Sequence, residues 1–120
     1  MRDIEFRGRR LENGKWIFGS LLNFNGDYEI ADWNTVDCGR YDVDPVTVGQ
    51  YIGLEDENGQ KIYEGDIVEW ENLVGTKIRS VIAYQERMFC LVDAHNNPQE
   101  IWCYSFTKIG NIHDNPELLE

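Results

Sequence analysis

Residues 49–70 constrain the fold of this chain more than any other stretch. Runs of β-type composition lie on both sides of Asn58-Gly59. Asn-Gly between such runs is the strongest short-range signal of a hairpin, because a type I′ turn needs positive φ at both central residues. A second reversal at Glu64-Gly65 leads into a further strand that ends at Trp70. The stretch therefore predicts a β-meander.

The remainder of the chain repeats this alternation of short strands and tight turns. Asn13-Gly14 and Asn25-Gly26 are two further hairpin signals. Residues 3–11 alternate like a half-buried strand, so that Ile4 and Phe6 face one way and Arg7 faces the other. Helical signals are limited to one turn after residue 44 and one turn after residue 114.

These patterns predict an all-β fold of antiparallel strands and hairpins with almost no helix. We expect one domain over residues 1–120. It comprises an N-terminal β-hairpin region over 1–48, a small Src-homology-3-like barrel over 49–112 and a tail over 113–120. The barrel is expected because small antiparallel sheets hide their edges by closing or by pairing with neighbours.

The charge of the chain is unevenly distributed. Residues 1–15 carry five basic and three acidic groups, whereas the other 105 residues carry six basic and 19 acidic groups, so the net charges are +2 and −13. An acidic body repels phosphate backbones, which disfavours nucleic acid as a partner. No apolar run approaches the roughly 20 residues that cross a bilayer. We expect a protein of the cytoplasm with no membrane contact.

The basic N-terminal segment suits a contact with another copy of the chain. Arg7, Arg9 and Arg10 form the centre of this basic arm, which would lie on the acidic body of the next protomer. The alternative is an ordinary solvated strand with charged residues on its outer face.

Aromatic side chains and the C-terminal leucines supply a second candidate surface. Trp102 and Tyr104 share one face of a predicted strand with Phe106, and Leu118 and Leu119 end a helical turn too short to persist in water alone. Core packing explains the aromatic residues, but an exposed strip would serve as a peptide groove or protomer contact. A stacking platform for single-stranded nucleic acid would need neighbouring basic residues. The neighbours are acidic: Glu69, Glu71 and Glu100.

Two sets of residues have the chemistry of a metal or catalytic site but not its spacing. Four carboxylates flank the central hairpin, and a Cys/His set lies near the C-terminus. The carboxylates lack the pattern of a calcium loop, and Asp66 after Gly65 is expected to bond backbone N–H groups of its own turn. The Cys/His spacing matches no zinc motif, and no third group orients a cysteine nucleophile. The residues are Asp56, Glu57, Glu64 and Asp66, and Cys90, His95, Cys103 and His113.

Three segments of the sequence together resemble the YopX family of small proteins found largely in bacteriophage and prophage genomes. They are Ile4-Glu-Phe-Arg-Gly-Arg-Arg10 with Trp16, the run from Val48 through Asn58-Gly59 to Val68, and Ile109-Gly-Asn-Ile-His-Asp-Asn-Pro-Glu-Leu-Leu119. The resemblance spans essentially the whole chain. It implies an all-β protein that works inside an infected or lysogenic bacterial cell, and it carries no catalytic residues to this chain.

We therefore predict an accessory protein of phage or prophage origin that acts without catalysis, through protein–protein contacts, as a homo-oligomer. We expect it to use no cofactor and no metal, and a host protein is a possible further partner. The predicted contact residues are Arg7, Arg9, Arg10, Trp102, Tyr104, Leu118 and Leu119. One alternative is an acidic decoy for a host nucleic-acid-binding protein, which requires clustered carboxylates. Another is a small hydrolase using Asp66, His95 or Cys103.

Overall fold

The computed structural model describes residues 4–32, 39–85, 87–101 and 105–119. These residues confirm the predicted all-β class and its near absence of helix. These residues include two short 3₁₀ turns, Pro45–Thr47 and Pro116–Leu119, and within this described part no helix is long and apolar enough to cross a membrane. The strands are β1 (Phe6–Arg9), β2 (Trp16–Phe24), β3 (Asp27–Asp32), β4 (Arg40–Asp42), β5 (Gly49–Glu55), β6 (Lys61–Tyr63), β7 (Asp66–Glu71), β8 (Lys77–Gln85), β9 (Met88–Val92), β10 (Pro98–Glu100) and β11 (Phe106–Asn111).

The chain divides into two compact units, Met1–Tyr51 and Ile52–Glu120. The predicted change from hairpin region to barrel at residue 49 lies close to this boundary. In the first unit the strands run antiparallel in the order β4-β3-β2-β1, and the start of β5 pairs with β1. An isolated bridge joins Arg10 to Val43. The apolar core of this unit comprises Ile17, Ile30 and Val43, with Phe6, Leu21, Tyr28, Tyr41 and Val48 packed against them.

The first strand differs from its predicted pattern at both ends. Phe6 contacts the core as expected, but Ile4 is 64% exposed. Arg7, which we expected on a solvated face, is only 3% exposed and lies over the ring of Trp16, 4.7 Å from its centroid. The indole of Trp16 covers the guanidinium of Arg7 through a cation–π contact. The alternation of apolar and polar residues within β1 could not predict the burial of Arg7, because it contains no information about Trp16.

Strand β2 contains a glycine that its neighbour strand requires. A Cβ atom at Gly19 would overlap the carbonyl oxygen of Ala31 on β3. The two strands approach each other closely at this point, and only a glycine fits there.

The three Asn-Gly pairs all lie in hairpin loops, but they adopt two conformations. Asn25 and Gly26 both have positive φ (53° and 94°), as a type I′ turn requires. In the other two pairs only the glycine has positive φ, 71° at Gly14 and 79° at Gly59. Those loops are one or two residues longer, so only one position has to adopt the left-handed conformation.

The second unit contains a five-stranded antiparallel sheet in the order β10-β9-β8-β7-β11. The end of β5 and strand β6 form the hairpin around Asn58-Gly59. A buried hydrogen bond from Trp70 Nε1 to Ser80 Oγ (3.0 Å) crosses the core. The buried core residues are Ile52, Ile62, Val68, Trp70, Ile82, Leu91, Ile101 and Phe106.

The sheet of the second unit is open, so the expectation of a closed barrel over 49–112 was wrong. Among the described residues, the outer strands β10 and β11 have no pairing with each other. Strand β10 has only three residues, all exposed, and begins with Pro98, which has no N–H to donate. Such a strand ends a sheet and does not close it.

Candidate interaction surface

The hairpin between β7 and β8 ends in two apolar side chains that project into solvent. Leu73 is 99% exposed and Val74 is 85% exposed, the two largest values among the large apolar residues that the structure describes. We call this pair the tip. Hairpin loops favour Gly, Asn, Asp and Ser, so an adjacent leucine and valine in one are unusual.

The loop that carries the tip is held by the side chain of Asn72. Its Oδ1 accepts hydrogen bonds from the N–H groups of Val74 (3.1 Å) and Thr76 (2.9 Å). The backbone N–H of Asn72 also donates to the Thr76 carbonyl, and Gly75 has a φ of 85°. The backbone bonds hold the tip residues in a defined conformation.

The same loop geometry occurs twice more in the second unit. Asp56 Oδ1 accepts from the second and fourth N–H groups after it, and so does Asp93 Oδ1, at distances between 2.9 and 3.0 Å. The two residues that follow the capping side chain are Glu57-Asn58 in one loop and Ala94-His95 in the other. Because the same geometry forms with these residues, the loop conformation does not require Leu73 and Val74.

Two clefts of different chemistry flank the tip. On one side, a cleft of about 290 Å³ is lined by Trp70, Ile78 and Gln99 together with the tip. Trp70 and Ile78 belong to the edge of the core, so this cleft is mainly apolar. The second cleft next to Leu73 shares Trp70 with the first and is otherwise lined by Glu57, Glu69, Glu71, Lys77, Ser105 and Thr107. The tip thus stands between an apolar cleft and an acidic rim.

Two of the loop carboxylates are stabilised in their charged form. At Asp56, burial raises the pKa, but hydrogen bonds from the N–H groups of Lys108, Gln60 and Asn58 outweigh it, and the pKa is lowered. At Asp93, the N–H group of Asn97 is the main cause of a lowered pKa. The ordinary structural role of an acidic turn residue accounts for both.

The predicted basic arm lies against aromatic rings of its own unit. Arg7 and Arg9 both lie over Trp16, at 4.7 and 5.4 Å from the ring centroid, and Arg10 lies 4.1 Å from the centroid of Tyr41. Arg10 also pairs with Glu12 at 2.9 Å. Arg9 and Arg10 are half-buried and Arg7 is buried. A contact of the arm with another protomer would involve Arg9 and Arg10.

The predicted C-terminal leucines dock on their own unit. Both are half-buried, and Arg79 donates a hydrogen bond to the Leu118 carbonyl (3.2 Å). A Cβ at Gly110 would lie 3.0 Å from Leu118 Cδ1, so that glycine makes room for the leucine. This meets the expectation that the short turn must dock on something. Trp102 and Tyr104 lie outside the described residues, and Phe106, predicted to share their face, is buried in the core.

The carboxylates around the central hairpin have structural partners. Asp66 is fully buried, accepts the Tyr63 N–H at 2.8 Å and lies 3.2 Å from Lys108 Nζ, which confirms that it stabilises its own turn. Glu57 accepts a hydrogen bond from Thr107 (3.1 Å). Asp56 caps the loop as described above, and Glu64 also has a partner. Part of the acidic content is thereby explained without a binding partner.

The cysteine and histidine candidates are separated by their surroundings. Cys90 is buried, His95 is exposed on the β9–β10 loop and His113 follows β11. Cys103 lies outside the described residues. Among residues 4–32, 39–85, 87–101 and 105–119, no group of three or more Cys, His, Asp or Glu side chains is arranged to hold a metal ion.

Sequence reasoning missed the tip. A usable signal was present, because Asn72-Leu73-Val74-Gly75 combines a capping asparagine and a glycine at the fourth position with two apolar residues between them. The stretch lies outside the three segments that carry the resemblance to the family, so the resemblance did not draw attention to it.

Comparisons with known proteins agree with the resemblance and the fold. None of the curated proteins matches the sequence. A crystal structure of protein EF1440 from Enterococcus faecalis matches over 100% of both chains with a TM-score of 0.59 and 21% identity, a similarity that shows the fold alone. The profile of the YopX protein family matches residues 5–120, nearly the whole chain. The chain therefore belongs to the YopX protein family.

Proposed function

We propose that this protein is an accessory protein of phage or prophage origin that acts without catalysis, by binding other proteins through the Leu73–Val74 tip. The observation that carries the proposal is the exposure of two apolar side chains on a loop whose conformation does not require them. Burial of apolar surface stabilises a contact by about 25 cal/mol per Å². A tip with a fixed backbone loses little conformational freedom on binding.

The flanking clefts support a protein as the ligand. A contact centred on the tip would have an apolar centre, formed with Trp70 and Ile78, and a polar rim formed by Glu69 and Glu71. This is the arrangement of a protein interface, in which charged residues are displaced to the edge. The acidic rim repels phosphates, so nucleic acid remains an unfavourable partner.

Site-specific photo-crosslinking tests this proposal. A photoreactive amino acid replaces Leu73 in the full chain, which is expressed in a bacterial cell and irradiated. The control places the same group at Val46, another apolar side chain that is 78% exposed but lies on a 3₁₀ turn of the first unit. We expect discrete protein adducts from position 73 that are absent from position 46. Equal or no adducts at the two positions would contradict the proposal.

A second candidate function is that of an acidic decoy for a host nucleic-acid-binding protein, and the same photo-crosslinking experiment tests it. It predicts that the adducts at position 73 are dominated by host nucleic-acid-binding proteins. The carboxylates of Asp44, Asp56 and Asp93 accept hydrogen bonds within their own loops, and those of Glu29 and Glu69 pair with basic side chains. These structural roles weaken the charge argument for a decoy, so we rank it below a general protein contact.

A further inference from the structure

We infer, on the basis of the proposed function, that the partner of the tip is a protein surface on which lysine or arginine side chains surround an apolar side chain. The apolar side chain would pack against Leu73 and Val74 and enter the apolar cleft beside them. The basic side chains would pair with carboxylates at the rim of the tip. Complementary charges of this kind act more on the choice of partner than on the strength of binding.

Two carboxylates at the rim have no cation of their own. The hydrogen-bond partner of Glu57 is the hydroxyl group of Thr107, at 3.1 Å, which carries no charge. Within the part of the chain that the structure describes, the side chain of Glu71 has no hydrogen bond and no ion pair. Glu69 differs, because Arg79 lies 3.3 Å from it. A basic partner therefore gains ion pairs at Glu57 and Glu71 without breaking one inside the chain.

The carboxylates without a cation lie next to the apolar cleft. Glu57 and Glu71 line the same cleft as Leu73. Trp70 lines that cleft too, and it also lines the apolar cleft of about 290 Å³. An apolar side chain that a partner places against Trp70 is therefore adjacent to both carboxylates. Basic residues that flank this apolar side chain would reach them, and the contact would have the apolar centre and charged rim of a protein interface.

The charge of the whole second unit favours the same kind of partner. Residues 52–120 carry five basic and 13 acidic groups, so their net charge is −8. Among the described residues that line the two clefts, Lys77 is the only basic one, and it lies 3.9 Å from Glu69. The electrostatic field at the tip is therefore negative. It attracts a basic surface and repels an acidic one, which includes a second copy of this chain.

Crosslinking from position 73 tests the inference when it is combined with changes of charge. The photoreactive amino acid stands at position 73 of the full chain, and irradiation is carried out in a bacterial lysate at low salt. The test variant is Glu57→Gln with Glu71→Gln. The matched control is Asp27→Asn with Glu117→Gln, which removes the same charge from two exposed side chains that line neither cleft.

We expect the test variant to form the adducts about fivefold less efficiently, because two exposed ion pairs are lost, and the control to leave the yield unchanged. Glu71→Lys should lower the yield further, because it repels a basic partner. High salt should lower the yield of the unchanged rim towards that of the test variant, since salt screens exposed ion pairs. The partner peptide attached to position 73, identified by mass spectrometry, should contain more lysine and arginine than aspartate and glutamate.

Thermal unfolding verifies that every variant folds, and the test variant and its control decide the result if Glu71→Lys does not fold. Equal adduct yields from the test variant and the control, or partner peptides that are neutral or acidic, would overturn the inference and leave the proposed function intact. Adducts that consist of two copies of this chain would also overturn it. Absence of specific adducts at position 73 would overturn both the inference and the proposed function.

Discussion

The ammonium of Lys108 lies 3.2 Å from the fully buried carboxylate of Asp66. The same lysine donates its backbone N–H to Asp56 Oδ2 at 2.9 Å. The side chain of Lys108 thereby joins strand β11 to Asp66 at the start of β7. The backbone N–H of the same residue joins β11 to the β5–β6 loop. This residue holds the edge strand β11 beside the loops of the second unit.

Replacing Lys108 with methionine should destabilise the protein by about 3 kcal/mol, because a buried carboxylate loses the cation beside it. The matched control is Lys77→Met. That ammonium lies 3.9 Å from Glu69 and its side chain is 72% exposed, so its loss should cost less than about 0.5 kcal/mol. Urea unfolding measures both values. Equal effects of the two substitutions would show that the Asp66–Lys108 pair has no special role in stability.

Asp56→Asn should reduce stability at neutral pH by about 2 kcal/mol. Asparagine keeps one acceptor oxygen for the loop but offers no second acceptor to the Lys108 N–H. The matched control is Asp93→Asn, which keeps its loop bonds and should lower stability less. Equal losses for the two variants would mean that the bond to Lys108 contributes nothing.

The pH dependence of stability should also change in the Asp56→Asn variant. The lowered pKa of Asp56 means that its contribution is fully present above the unfolded-state value of about 3.9 and is lost as the pH falls through the lower, folded-state value. The wild type should therefore lose more stability below about pH 4 than the variant does. Parallel curves of unfolding free energy against pH would rule out this linkage.

Ser80→Ala should cost about 1–3 kcal/mol, because it removes the acceptor of the buried Trp70 Nε1–H group. The control is Ser105→Ala, at an exposed position. Thermal unfolding with tryptophan fluorescence monitors both variants. A Ser80→Ala protein as stable as the control would indicate that the indole N–H finds another acceptor.

Gly19→Ala should be more destabilising than Gly26→Ala. Both glycines lie in the β2–β3 hairpin, but a Cβ at Gly26 meets no atom within 4 Å, whereas a Cβ at Gly19 overlaps the Ala31 carbonyl oxygen. Gly26→Ala costs only the strain of a left-handed alanine, about 1 kcal/mol, whereas Gly19→Ala also displaces a neighbouring strand. Chemical unfolding measures the free energy of unfolding of both variants. A larger loss of stability in Gly26→Ala than in Gly19→Ala would disprove the close approach of Gly19 to Ala31.

The sequence predicted those features of the fold that depend on local chemistry. Two hairpins were predicted from Asn25-Gly26 and Asn58-Gly59. One helical turn was predicted after residue 44, and the structure has a 3₁₀ turn there that Asp44 caps by accepting the Val46 N–H at 3.1 Å. Turn residues act through their own backbone conformation, so a short stretch of sequence is enough to identify them.

The features that escaped prediction depend on residues distant in sequence. Arg7 is buried because Trp16 lies beside it, and the sheet of the second unit stays open because β10 is short and exposed. Neither fact follows from alternation within one strand. The tip escaped for another reason: exposure is a property of the folded chain, and leucine and valine in a sequence are read first as core residues.

The claim that Leu73 and Val74 form the contact surface is tested most directly by the methyl NMR signals of these two residues. The signals are compared between dilute purified protein and the protein inside a bacterial cell that expresses it, with the Val46 methyl groups as the exposed reference. We predict that the Leu73 and Val74 signals shift or broaden in the cell while those of Val46 do not. Tip signals that are unchanged in the cell, or that change only as much as those of Val46, would contradict the account.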